Sequence, residues 1–167
     1  IAIEVMLRAI KEVRLITETV SFGRDIKKIS ESFRVVPNVV LPNNLKADFV
    51  IVGSSGVWLI SVQDGDDEVT FDGDNLVRDG VALKGLFSSI LEKSYILTSI
   101  LKQKLNRDFK VTPVVAFSSS KIKLSAPKII RGVYISSRKD AVSLIENTDI
   151  QLVDQKSIEE IYKILKK

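Results

Sequence analysis

The longest apolar run in the chain, residues 49–62, is cut in its middle by Gly53-Ser54-Ser55-Gly56. Turn chemistry at its centre makes it two short strands and not a membrane span. Residues 47–52 and 57–63 are rich in Val and Ile at successive positions. Each strand therefore needs cover on both faces. The pair is expected as an antiparallel hairpin, buried on both sides, at the heart of a sheet.

The flanking sequence supplies that cover. Met6, Ile10, Val13, Ile16 and Val20 recur every three or four residues, so residues 1–20 are expected as an N-terminal helix with these side chains on one inward face. Ser21-Phe22-Gly23 reads as an interruption, with a second helix over 24–33 burying Ile26, Ile29 and Phe33. Val35-Val36 and Val39-Val40-Leu41, bounded by Pro37 and Pro42, predict a strand. After the hairpin, Asp-Gly turns bracket small strands at 68–71 and 76–78, which are expected to extend the sheet as a meander. A long helix is expected over 83–105, with Leu86, Ile90, Leu97, Leu101 and Leu105 inward and Tyr95 beside them. Strands at 111–117 and 132–136, a short helix at 139–146, a strand or connector at 150–153 and a last helix at 157–166 complete the order. No Pro/Gly/Ser-rich stretch divides the 167 residues, so one α/β domain spanning 1–167 is expected, a mixed central sheet flanked by helices.

Composition limits the chemistry such a domain can carry. The chain has no histidine and no cysteine. Ser-His-Asp and Cys-His catalysis, His- or Cys-ligated zinc, iron–sulfur clusters and disulfides are all excluded. Carboxylates, hydroxyls, amides, Lys and Arg remain, which suit Mg²⁺ bound through oxygen, phosphate binding, or plain association. The formal charge of +4 permits nucleic-acid binding without requiring it. No signal peptide is read at the N-terminus, and a cytoplasmic setting without a membrane is expected.

One arrangement stands out. Asp48 opens the first hairpin strand, and the second ends Leu59-Ile60-Ser61-Val62-Gln63. A carboxylate at the start of one strand, a tight turn and a second apolar strand form the skeleton of a Mg²⁺-dependent phosphodiesterase hairpin. Side chains two apart on the second strand share a face, as a metal-ligating acid and an activating lysine must. The simpler reading of Asp48 is a strand-start carboxylate bonded to nearby backbone N–H groups. For Asp25, it is a first-turn helix acid. Gly53-Ser54-Ser55-Gly56 is no phosphate-binding loop, because no Gly-Lys-Ser/Thr follows it. The acidic run 64–68 lacks the ligand spacing of an EF-hand.

The stretch VVPNVVLPNNLKADFVIVGSSGVWLISVQ resembles the nuclease-related domain (NERD) family of the PD-(D/E)xK, restriction-endonuclease-like superfamily. The matching residues are Leu41-Pro42, Ala47-Asp48, Gly53, Gly56-Val57 and Leu59-Ile60. Upstream, Phe22-Gly23-Arg24-Asp25 resembles the family's Gly-x-Glu helix start. Downstream, the long helix and VTPVVAF resemble the elements that follow in the family, so the likeness covers roughly 22–155. It implies a restriction-endonuclease-like fold with a Mg²⁺ site built on an Asp, a Glu and a Lys.

This chain departs from that pattern where the chemistry lies. Ser61 stands in the place of the Glu and Gln63 in the place of the Lys. Ser89 falls near the family's helix Gln. Asp48, with Asp25 in support, would hold Mg²⁺ only weakly, and no cofactor is expected. Losing an electrostatic stabiliser typically costs ~10²–10³ in rate. The resemblance therefore implies a non-catalytic, nuclease-like domain with a vestigial site of Asp25, Asp48, Ser61 and Gln63. Its partner would be DNA or another protein of a DNA replication or repair assembly. Lys121, Lys123, Lys128, Arg131, Arg138 and Lys139 are the candidate phosphate contacts, with ordinary surface charge as the plainer alternative. Two further alternatives stand. One is a nuclease with a site rebuilt from Asp25, Asp48 and an acid among Asp64, Asp66, Asp67 and Glu68. The other is a protein-binding scaffold with no affinity for nucleic acid.

Overall fold

The computed structural model describes residues 2–26, 29, 31–64, 67–119 and 122–167. The expected hairpin is its centre. β2 (Lys46–Gly53) and β3 (Gly56–Gln63) pair antiparallel, with Gly53 opposite Gly56 across the Ser54-Ser55 turn. Both ends of this turn need glycine. Gly56 sits at φ 123°, and a Cβ on Gly53 would lie 2.3 Å from the Phe33 ring.

β1 (Arg34–Val40) pairs antiparallel with β2 at the sheet edge, where Pro37 costs little. On the other side, β7 (Val111–Phe117) runs parallel to β3, and β10 (Val133–Ser137) runs parallel to β7. With β9 (Ile129–Ile130) these strands form a six-stranded mixed sheet in the order β1-β2-β3-β7-β10-β9. A parallel neighbour requires a crossover. α2 (Leu86–Leu105) provides it between β3 and β7.

Period-2 alternation divides the hairpin between two cores. Val50, Val52, Val57 and Leu59 face one side, packed with Phe87, Ile90, Leu97 and Leu101 of α2 and Ile158 and Ile161 of α4 (Gln155–Leu165). Phe49, Ile51, Trp58, Ile60 and Val62 face the other, packed with Phe22 and Ile26 of α1 (Ala2–Ile26) and Ala141 and Ile145 of α3 (Arg138–Asn147). Trp58 is a core residue, and its Nε1–H donates to Ser55 Oγ at 3.1 Å.

Several expectations are corrected. Ser21-Phe22-Gly23 does not interrupt the N-terminal helix. α1 runs on to Ile26, so the start of the expected second helix belongs to α1; Ile29 and residues 31–33 are bend and turn, and 27, 28 and 30 lie outside the described residues. Gly23 serves close approach and not a break: a Cβ there would meet the Phe49 ring at 3.3 Å, beside the Phe22–Phe49 contact. Met6, Ile10 and Val13 are exposed instead of inward, while the side chains of Ile16 and Val20 lie outside the described residues. β4 (Glu68–Phe71) and β5 (Leu76–Arg78) do not extend the central sheet. With β6 (Val81–Ala82) and β8 (Lys123–Ser125) they form a separate four-stranded sheet that packs Val69 and Leu76 into the α2-side core. Tyr95 is exposed. Residues 150–153 are a connector whose Leu152 and Val153 N–H groups both donate to the Ser54 carbonyl. Among the described residues no helix is long and apolar enough to cross a membrane.

Candidate functional site

The hairpin register runs from Gly53–Gly56 to Phe49–Ile60, and one further step places Asp48 across from Ser61. The Val62 N–H donates to Asp48 Oδ2 at 2.7 Å, which fixes the carboxylate against the end of β3. Gln63, two residues beyond Ser61, shares its face, and Gln63 Nε2 donates to Ser61 Oγ at 3.2 Å. Asp48, Ser61 and Gln63 thus form one half-buried polar row on the α2 side of the sheet, beyond the apolar Val50 and Leu59. The backbone carbonyl of Gln63 accepts from both the N–H and the Oγ of the buried Ser118, which ties the end of β3 to the end of β7.

Burial pushes the Asp48 carboxyl above its ordinary value, opposed by the Val62 N–H and by the Lys93 ammonium of α2. Lys93 is the residue that strand reasoning missed. It lies one helical turn after Ser89 and so shares a face of α2 with it. That spacing is the only sequence signal that points to it.

Asp25 does not join this row. It sits at the end of α1, whose Phe22 and Ile26 pack on the opposite side of the sheet, and its Oδ2 pairs with Arg138 Nε at 2.8 Å. The acids after β3 also go elsewhere. The strand ends at Gln63. Asp64 then meets Arg78 of β5 through its backbone carbonyl and through Oδ1, the latter at 3.1 Å. Glu68 accepts from Ser125 at 2.7 Å, Asp67 is exposed, and Asp66 lies outside the described residues. Among the described residues no three acids converge in a way that could hold a metal ion. The Asp48 row offers a divalent cation one carboxylate together with neutral oxygens.

The described candidate phosphate contacts are interleaved with acids. Lys121 lies outside the described residues. Arg131 pairs with Asp74 at 3.4 Å and lies over the Phe87 ring, and Arg138 is held by Asp25. Lys123 lies on β8 across from Glu68. Arg138 and Lys139 line a cavity of about 460 Å³ with Ser118, Ser119 and Ser137, at the carboxyl ends of β7 and β10. Lys128 lines a neighbouring cavity of about 630 Å³ with Tyr134, Ser136 and Ser143. Asp140 borders both cavities and caps the start of α3 with Ser137, placing negative charge between the cations.

No family model, no curated protein and no solved structure matches this chain.

Proposed function

We propose that this chain is a restriction-endonuclease-like domain that does not hydrolyse nucleic acid and works by association. The observation that carries this reading is the Asp48–Ser61–Gln63 row. The order of elements supports it: a helix, three antiparallel strands, a crossover helix and a parallel strand, with the acid and the two replaced positions facing each other across the hairpin. A two-carboxylate Mg²⁺ site would have its ligands at Asp48 and residue 61, and here the second is a hydroxyl. One carboxylate with neutral neighbours leaves Mg²⁺ bound mainly by water, too loosely to fix an attacking hydroxide.

Of the two modes of association, with nucleic acid or with protein, charge pairing favours protein. Arg131 and Arg138 already have acidic partners, Lys123 lies across from Glu68, and Asp140 borders both cavities that Lys128 and Lys139 line. Uninterrupted positive surface is what gives a phosphate-binding face its affinity. The second reading, residual Mg²⁺-dependent hydrolysis, is favoured by Lys93 near Asp48.

Incubation with single-stranded, duplex and branched DNA and with RNA, in Mg²⁺ and then Mn²⁺, tests both readings. The proposal predicts no cleavage above that of Asp48→Ala. Cleavage that disappears in both Asp48→Ala and Lys93→Ala establishes the second reading.

A further inference from the structure

Among the described side chains of α1, those packed against the sheet lie at its end. Phe22 and Ile26 are fully buried against the sheet, while residues 3–10, 12 and 13 are exposed. That exposed part is the wrong composition for a helix left in water. Ile3, Val5, Met6, Leu7, Ile10 and Val13 are each between 51% and 71% exposed. Ile3, Val5, Ile10 and Val13 are β-branched, a class that lowers the stability of a helix lacking tertiary contacts. Ile3, Met6, Ile10 and Val13 follow a three-four-three spacing, the a and d positions of a heptad, with Leu7 at the flanking e position.

We propose that this face pairs with the same face of a second copy of the chain, joining two domains through their N-terminal helices. Two observations select a second copy. The first is charge. Residues 2–13 carry two acids, Glu4 and Glu12, and two bases, Arg8 and Lys11. A helix with no net charge does not repel its own copy, whereas a helix laid on an anionic lipid surface carries an excess of Lys and Arg. The second is area. At about 100 Å² for each large apolar side chain, the four seam residues and Leu7 expose roughly 500 Å². A pair of copies would remove about 1,000 Å² from water, the area a specific interface should clear.

This inference names a partner for the association proposed above and rests on different residues. Its failure would leave the cleavage result untouched. Sedimentation equilibrium of the whole chain over the micromolar range tests it, with Ile10→Glu and Ile10→Leu alongside. The wild type is expected to show twice the chain mass. Ile10→Glu should weaken the pairing by about 100-fold or more, because the seam would have to bury a charge. Ile10→Leu should retain the pairing, and all three should share one melting temperature for the sheet. A chain that remains monomeric at the highest concentration overturns the proposal, as does a dimer that Ile10→Glu leaves intact. A monomer that floats with phosphatidylserine-containing vesicles overturns it too, and assigns the helix to a membrane surface.

Discussion

The two halves of β3 do different work. Val57, Trp58, Leu59 and Ile60 are all buried, divided between the cores on either side of the sheet. Ser61 and Gln63, only a few residues on, are half-buried and polar, and their hydrogen bond is to each other. The first half holds the hairpin in place. The second half, with Asp48 opposite, carries the polar row on which the proposed function rests, while Val62 between them stays in the core. The register is set in the apolar half and at the turn, and the polar end of the strand follows from it.

Substitutions along the strand should make that division measurable. The largest effect is expected in the apolar half. Ile60→Ala should cost about 2–5 kcal/mol in a denaturant titration, since the side chain is fully enclosed and its neighbours belong to four elements. At the turn, Gly53→Ala should cost about 1–3 kcal/mol, because its Cβ would enter the Phe33 ring and the ring must swing away.

Asp48→Asn should do the opposite. The folded chain holds the Asp48 carboxyl above its ordinary value through burial, so the folded state binds a proton more readily than the unfolded state. That favours folding below the ordinary carboxylate range and is lost as pH rises through the elevated value. The asparagine variant, which still accepts from the Val62 N–H, should therefore melt higher than wild type at pH 7. The gap should close as the pH is lowered past the ordinary carboxylate range. A variant that melts lower at pH 7 would mean that the charge of Asp48 supports the fold. Last, Ser61→Ala should shift stability by less than about 0.5 kcal/mol, since only the Gln63 amide depends on it. A larger loss would place Ser61 in the structural half of the strand.

The central hairpin was legible because successive Val and Ile residues on both sides of a Gly-Ser-Ser-Gly turn leave few alternatives. α2, β7 and β10 were legible for the same reason: long apolar segments carry their own period. The small sheet was not. β4 and β8 pair in parallel between Glu68 and Lys123, and strands of three or four residues hold no local record of so distant a neighbour. The course of α1 was misread at Gly23, where low helix propensity suggests a break. The chain instead uses the missing side chain to bring the helix against Phe49. In the candidate site, the facing of Asp48 and Ser61 follows from a short turn. The reach of Lys93 and the pairing of Asp25 with Arg138 depend on how helices dock, which residue spacing does not encode.

The central proposal is that the Asp48–Ser61–Gln63 row at the end of β3 does not support hydrolysis of nucleic acid. Cleavage of labelled DNA and RNA by wild type and Asp48→Ala, side by side in Mn²⁺, tests it most directly. The account predicts identical, background-level traces for the two proteins. Cleavage by the wild type that Asp48→Ala abolishes would contradict it.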